Sequence, residues 1–277
     1  MTYDGYRTIR IVVDAGVAFA TLDHPPINLL DLELLGDLDR LSRELAVDSS
    51  VRVLVVSSAN PEFFIAHADV ALIEQLPTEM RTGPRELGFF HAMVERFRTL
   101  PQATIAKIEG RTRGGGSEFV LSLDMRFAAT GRAVLAQPEV ALGIIPGGSG
   151  TQRLPRLVGR GRALEVILGC DDFTAEMAER YGYVNRALPP DEIGPFVERL
   201  ARRIASFPAA AVRRAKEAVA AAEASPVSGL LVEDECFTRC LGETETRRRM
   251  RAFLEGGGQT RDVELDLEGL LSRIEGD

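Results

Sequence analysis

The stretch Ile108-Glu109-Gly110-Arg111-Thr112-Arg113-Gly114-Gly115-Gly116-Ser117-Glu118 decides the fold, because it reads as a strand, then three consecutive glycines, then the start of a helix. Glycine has no Cβ, so a ligand can lie against the main chain there. A helix start also presents N–H groups without intrahelical partners, at the positive end of the helix dipole. Such a junction suits a site that stabilises developing negative charge. On its own the triplet reads equally well as a flexible turn or a close helix contact.

Outward from this junction, sheet and helix signals alternate. Arg7 to Val13 and Val17 to Leu22 are β-rich runs separated by Asp14, Ala15 and Gly16, which predicts a hairpin. Leu34, Leu38, Leu41 and Leu45 recur at helical spacing, with Asp31 as the cap. Val51 to Val56 is almost wholly apolar, as expected of a strand buried on both faces. Thr104 to Ile108 and Arg126 to Ala129 are neighbouring strand candidates, and the spacing predicts helices around Glu86 to Leu100 and Glu118 to Leu123. The fold class is therefore α/β. From Ile193 onward Ala-, Arg- and Glu-rich helical pattern takes over, including Ala209 to Glu223 and Leu230 to Leu241. A boundary near Pro208 divides a core, residues 1–207, from a helical region, residues 208–277. Gly256, Gly257 and Gly258 end the helix that carries Arg247 to Glu255, and a last short helix is expected to finish near Ile274.

Composition narrows the function classes. Of 277 residues, 45% are hydrophobic and 27% charged, which suits one sizeable core with an appendage. A net charge of -8 disfavours nucleic acid as the main ligand. The basic run Arg247 to Arg251 reads as a solvated helix face balanced by Glu243 and Glu245, with a site for a ligand phosphate as the alternative. The N-terminal residues lack a secretory pattern and no apolar run spans a bilayer, so the cytoplasm is the expected location, with no membrane partner. Cys170, Cys236 and Cys240 predict neither a disulfide framework nor a metal site.

Two further segments carry candidate chemistry: Phe63-Phe64-Ile65-Ala66-His67-Ala68-Asp69, a loop leading into a short helix, and Gln137-Pro138-Glu139, followed by Leu142 to Leu154 with its Pro146-Gly147-Gly148-Ser149-Gly150-Thr151-Gln152-Arg153 turn. Gly147 to Thr151 lacks the Lys-Ser or Lys-Thr pair of a phosphate-cradling loop. No nucleophile elbow or dinucleotide fingerprint is present.

Together, and in this order, these three segments resemble the crotonase family, also called the enoyl-CoA hydratase/isomerase family, from about Arg7 to about Ala205 and more weakly beyond. The resemblance implies a spiral of ββα units with a C-terminal helical trimerisation region, and an enzyme of fatty acid metabolism that adds water to, or removes it from, a 2-enoyl-CoA. It implies oxyanion-hole donors at the N–H groups of Ala68 and Gly115, catalytic acids at Glu118 and Glu139, and substrate contacts from Ala66, His67, Asp69, Arg113, Gly114 and Gly147. Glu118 is expected to orient water and Glu139 to serve Cα. No separate cofactor is expected, since coenzyme A enters with the acyl-CoA substrate, and a homotrimer or homohexamer is implied. The alternatives are another crotonase reaction, namely isomerisation, hydrolysis or carbon–carbon cleavage of an acid-bearing acyl-CoA, and a non-catalytic acyl-CoA- or RNA-binding relative.

The sequence departs from the family pattern at three places. His67 stands where the family usually has glycine, and either crowds the CoA-facing surface or points outward. Arg111 and Arg113 flank Thr112 and should share one side of an extended segment. Arg113 either enters the acyl pocket, to meet a substrate carboxylate or shift Glu118, or turns outward toward CoA or a neighbouring subunit. Finally, Gly256 to Gly258 replace a Lys- and Arg-containing segment that binds CoA phosphates, and Arg247 to Arg251 or Arg261 are candidates to compensate.

Overall fold

The computed structural model describes residues 2–78, 86–221 and 227–275. The chain opens as an antiparallel hairpin, β1 (Ile9–Asp14) and β2 (Val17–Leu22), with Asp14 opposite Val17. Its two turn residues, Ala15 and Gly16, have φ of 47° and 79°, the mirror-image turn whose twist matches that of paired strands. In α1 (Leu32–Val47) the leucine stripe is buried, and the Asp31 carboxylate caps the helix by accepting from the Glu33 and Leu34 N–H groups at 3.0 Å.

Each later turn of the chain lays one strand in each of two sheets and then turns into helix. The first gives β3 (Val53–Ser58), β4 (Phe63–Ile65), α2 (Val70–Glu74) and α3 (Phe89–Thr99). The second gives β5 (Ala103–Ile108), β6 (Arg111–Arg113) and α4 (Gly115–Leu121). The third gives β7 (Met125–Ala129), β8 (Val134–Ala136), a 3-10 turn over Glu139–Leu142, α5 (Gly150–Val158) and α6 (Arg160–Gly169). After β9 (Phe173–Thr174), α7 (Ala175–Tyr181), β10 (Arg186–Leu188) and α8 (Pro190–Ala205), the sheets are complete in the orders β1-β2-β3-β5-β7-β10 and β4-β6-β8-β9. From β2 to β7 the larger sheet is parallel and covered on both faces, which explains the unbroken apolar runs of its central strands.

The remaining helices are α9 (Ala209–Ala220), α10 (Val227–Gly242), α11 (Thr244–Glu255), α12 (Arg261–Leu265) and α13 (Leu267–Glu275). The last of them turn back over the core. Met250, Phe253, Leu267 and Leu270 share a buried cluster with Val70, Leu142 and Ile144 beside the glycine junction. Three sequence expectations shift. Phe63 to Ile65 is a strand rather than loop, too short for its alternation to be seen. The helix expected from Glu86 starts at Phe89, after Gly88. The helix expected over Ala209 to Glu223 is seen to Ala220, and Ala222 and Glu223 lie outside the described residues.

The triple glycine serves packing as well as access. A Cβ on Gly116 would stand 2.6 Å from the Ile65 carbonyl oxygen, so α4 meets β4 only because that position is bare. Gly36 is the opposite case, a helix-interior glycine with nothing within 4 Å of its would-be Cβ. Urea denaturation should therefore show Gly116→Ala destabilised by about 2 kcal/mol and Gly36→Ala stabilised by about 0.5–1 kcal/mol. Equal effects from the two substitutions would contradict the packing argument.

Candidate active site

Two loops meet at the glycine junction. The His67 carbonyl accepts the Leu30 N–H at 3.0 Å, and the Asp69 N–H donates to the Leu30 carbonyl at 3.2 Å. In a trans peptide the C=O and N–H point opposite ways, so this bridge turns the Ala68 N–H away from Leu30. Gly115 opens α4, where an N–H has no intrahelical partner. A Cβ on Gly115 would lie 3.2 Å from the Ala68 Cβ and 3.6 Å from the Ala68 nitrogen, so the two positions face each other. Among the described residues neither N–H meets a backbone acceptor.

Glu118, one turn into α4, is fully buried, and its Oε1 accepts the Gly148 and Gly150 N–H groups at 2.7 Å. Burial, and next the charge of Glu233, push its carboxyl up to about 7 against the pull of those two amides. Glu139 opens the 3-10 turn and is raised well above the ordinary carboxylate range, by burial first and then by the charge of Glu118. The Gln137 amide nitrogen, oriented to satisfy its neighbours, lies 3.1 Å from both Glu139 oxygens. Both acids therefore hold their protons more tightly than a solvated carboxyl does, and they titrate as a pair.

His67 and Arg113 are both buried and both face the C-terminal helices. The His67 ring has Nδ1 2.8 Å from the Ala68 carbonyl and Nε2 2.8 Å from the Glu264 carboxylate, and only a doubly protonated ring donates to both. Burial alone would lower its pKa, but Glu264 and the carbonyl outweigh burial and raise it. Conversely, burial would raise Glu264, and His67 with its other partners brings it below the ordinary range. Arg113 donates to Asp172 through Nε at 2.7 Å and Nη2 at 2.5 Å, and to the Glu264 carbonyl at 2.9 Å. Its charge is engaged inside the protein, and it anchors α12 rather than the cavity wall. Arg111, on the same side as expected, donates to the Leu265 carbonyl at 3.3 Å. Gln259 donates to Asp69, completing a clasp between the C-terminal turn and the Ala68 loop.

A cavity of about 40 Å³ remains, between His67, Ala68, Gly114, Gly115 and Glu139 on one side and Phe253, Leu267 and Leu271 on the other. That is room for a few water molecules, at roughly 10–15 Å³ each. Of the other expected substrate contacts, Ala66 packs in the core with Ile27 and Phe63, Asp69 caps α2, and Gly147 lies under the Phe237 ring. The Arg247 to Arg251 run is partly balanced as expected, since Arg248 and Arg249 pair with Glu245.

Sequence reasoning missed Glu233, His91 and Glu264, all buried. Glu233 was detectable, because it falls on the apolar stripe formed by Leu230, Phe237 and Leu241 in α10. Glu264 carries no such signal within its charged surroundings.

A family model described as Enoyl-CoA hydratase/isomerase matches residues 13–260. The chain is 33% identical to the short-chain-enoyl-CoA hydratase of Clostridium acetobutylicum, over 86% of this chain and 91% of that one. It is 32% identical to a crotonyl-CoA hydratase of Syntrophomonas wolfei, over 90% and 96%. A crystal structure of a candidate enoyl-CoA hydratase from Streptomyces avermitilis superposes with a TM-score of 0.90 at 42% identity, covering 99% of this chain and all of that one. The two-sheet spiral with its helical appendage is thus the crotonase fold, and the protein is an enzyme of that class. The chain belongs to the enoyl-CoA hydratase/isomerase family.

The buried acids make stability depend on pH. Glu118 and Glu139 hold their protons more tightly folded than unfolded, so the fold loses stability as pH rises from the ordinary carboxylate range through the raised values. Glu118→Gln removes its share of that cost while keeping an acceptor for Gly148 and Gly150. Its melting temperature should exceed that of the parent at pH 8 and converge on it at pH 5, and an equal offset at both would refute the linkage. The clasp follows another window. The Glu264 contribution is lost as pH falls through its lowered value, and the His67 contribution as pH rises through its raised one. Hydrogen-exchange protection in α12, corrected for intrinsic exchange at each pH, should be greatest between those limits, and Glu264→Gln should abolish that maximum.

Proposed function

We propose that this enzyme adds water across the double bond of a short 2-enoyl-CoA, with the thioester oxygen between the Ala68 and Gly115 N–H groups. The observation that carries this reading is the buried pair Glu118 and Glu139, both raised by burial and by neighbouring carboxylate charge, so that the pair can share a proton with one member serving as base and the other as acid. The Glu118 carboxylate takes a proton from water as its oxygen bonds to Cβ. The electron pair of the double bond moves toward the thioester, and the two amides stabilise the resulting enolate by several kcal/mol. The Glu139 carboxyl then protonates Cα, and exchange with solvent returns both acids to their starting forms. Electrons and protons balance without a redox partner.

The printed names of the short-chain and crotonyl-CoA hydratases among the relatives support a short acyl group. Retention of both acids favours hydration over isomerisation, hydrolysis or carbon–carbon cleavage. The engagement of Arg113 with Asp172 weakens the case for a distal substrate carboxylate. A net charge of -8 speaks against an RNA-binding role. The reading includes a cytoplasmic homotrimer or homohexamer, supported by the family resemblance.

Loss of crotonyl-CoA absorbance at the conjugated thioester band tests the reaction. Glu118→Gln and Glu139→Gln should each lower kcat by about 10²–10⁴ while remaining folded. Against pH, kcat should rise through about 7 as Glu118 ionises and fall once Glu139 loses its proton, the two limbs belonging to the coupled pair. A folded parent enzyme that leaves crotonyl-CoA unchanged would sink hydration of this substrate.

A further inference from the structure

The turn into α5 carries a second buried carboxylate that the proposed reaction does not use. Four consecutive N–H groups open this turn, and two acids divide them alternately. Glu118 takes Gly148 and Gly150, both at 2.7 Å. Glu233, arriving from α10, takes Ser149 at 2.6 Å, Thr151 at 2.9 Å and the Thr151 hydroxyl. The His91 ring of α3 has its Nε2 2.8 Å from Glu233 Oε1. Glu233 and His91 are 2% and 3% exposed, and neither lines the cavity beside Ala68 and Gly115.

Burying an acid is costly unless it is paired and fully hydrogen-bonded, and here both conditions are met around one turn. A purely structural cap would be served by a serine or asparagine with no charge to bury. What a charge adds is an electrostatic effect on the carboxylate sharing that turn.

We propose that Glu233 and His91 are positioning residues for hydration, fixing both the orientation and the base strength of Glu118 through the amide turn it shares with Glu233. This rests on Glu118 being the group that activates water. Left alone, the two amides would make Glu118 a weaker base, and the negative charge of Glu233 opposes them. His91, on the far side of Glu233, moderates that opposition. Among the described residues, the charged groups facing this cluster include Glu139 from the 3-10 turn, Asp234, which shares with the His91 ring the space beside Gly88, and, behind Ser149, Arg153, which bonds the Ser149 hydroxyl at 3.0 Å and pairs with Glu95 at 2.8 Å. Because Glu233 comes from the C-terminal region, the base reaches working strength only when α10 is seated.

Two variants of the full-length enzyme, Glu233→Gln and His91→Gln, test this, the latter keeping a donor for Glu233 while removing the titratable ring. Infrared difference titration with isotope-labelled glutamate, assigned by the band missing from Glu118→Gln, reads ionisation of Glu118 without reference to turnover. The acid limb of crotonyl-CoA hydration provides the second readout. The Glu118 midpoint should fall by about one pH unit or more in Glu233→Gln and rise in His91→Gln, with the acid limb moving likewise. Opposite shifts are not produced by a merely structural role. Unmoved midpoints, or shifts in one direction in both, would overturn the proposal, and if Glu233→Gln does not fold, the direction in His91→Gln decides alone. Opposite infrared shifts in an enzyme inactive on crotonyl-CoA would leave the electrostatic coupling standing and remove the hydration reading instead.

Discussion

Two carboxyl groups buried within electrostatic reach of each other cannot both ionise cheaply, and that repulsion organises the molecule around Glu118 and Glu139. Neither acid could be placed there by one local segment. Glu118 depends on a helix that starts at a glycine run and on amides from a turn some thirty residues later, whereas Glu139 depends on a 3-10 turn after β8. The spiral supplies this convergence, because successive turns deliver their strand ends to the same edge of the small sheet. Glycines then let the segments touch. Gly116 meets β4, and Gly148 lies so near Glu118 Oε2 that a Cβ there would stand 2.5 Å away.

The parts of this arrangement visible in the sequence share a physical cause, namely that local periodicity or local backbone demands write them. The Leu34 to Leu45 stripe, the Asp31 cap, the apolar strand from Val51 and the Gly114 to Gly116 helix start are all of that kind. The acids at Glu118 and Glu139 were legible only through family resemblance, since each alone resembles an ordinary helix residue. Nothing local announces that Arg113 spends its charge on Asp172, or that Glu264 reaches back across nearly two hundred residues to His67. Those pairings are tertiary. The short strand Phe63–Ile65 was hidden for a different reason, as three residues are too few to display a period.

The clasp brings together two segments that the sequence reading singled out separately. His67 in the Ala68 loop and the Gly256 to Gly258 turn are the two places where the sequence reading expected a departure, and in the structure they meet. Gly257 has φ of 87°, and Gly256 and Gly258 lie against Leu270 and Phe253 with no space for side chains, so the chain reverses tightly enough to bring Glu264 onto His67. An imidazole without Glu264 would be a poorly partnered buried ring, and Glu264 without His67 would be a buried charge held only by the Gln259 N–H at 2.8 Å and a 3.9 Å contact with Arg113. Each residue depends on the other for its partner.

The clasp also ties the two ends of the site together. The apolar side of the cavity, Phe253, Leu267 and Leu271, belongs to the same C-terminal region that carries Glu264 against His67 of the Ala68 loop and Glu233 against the turn holding Glu118. Electrostatic contacts beside such a wall are stronger than in water. One region therefore supplies the apolar wall and two of the buried carboxylates around it, so a change that unseats it disturbs the Ala68 loop and the Glu118 turn together.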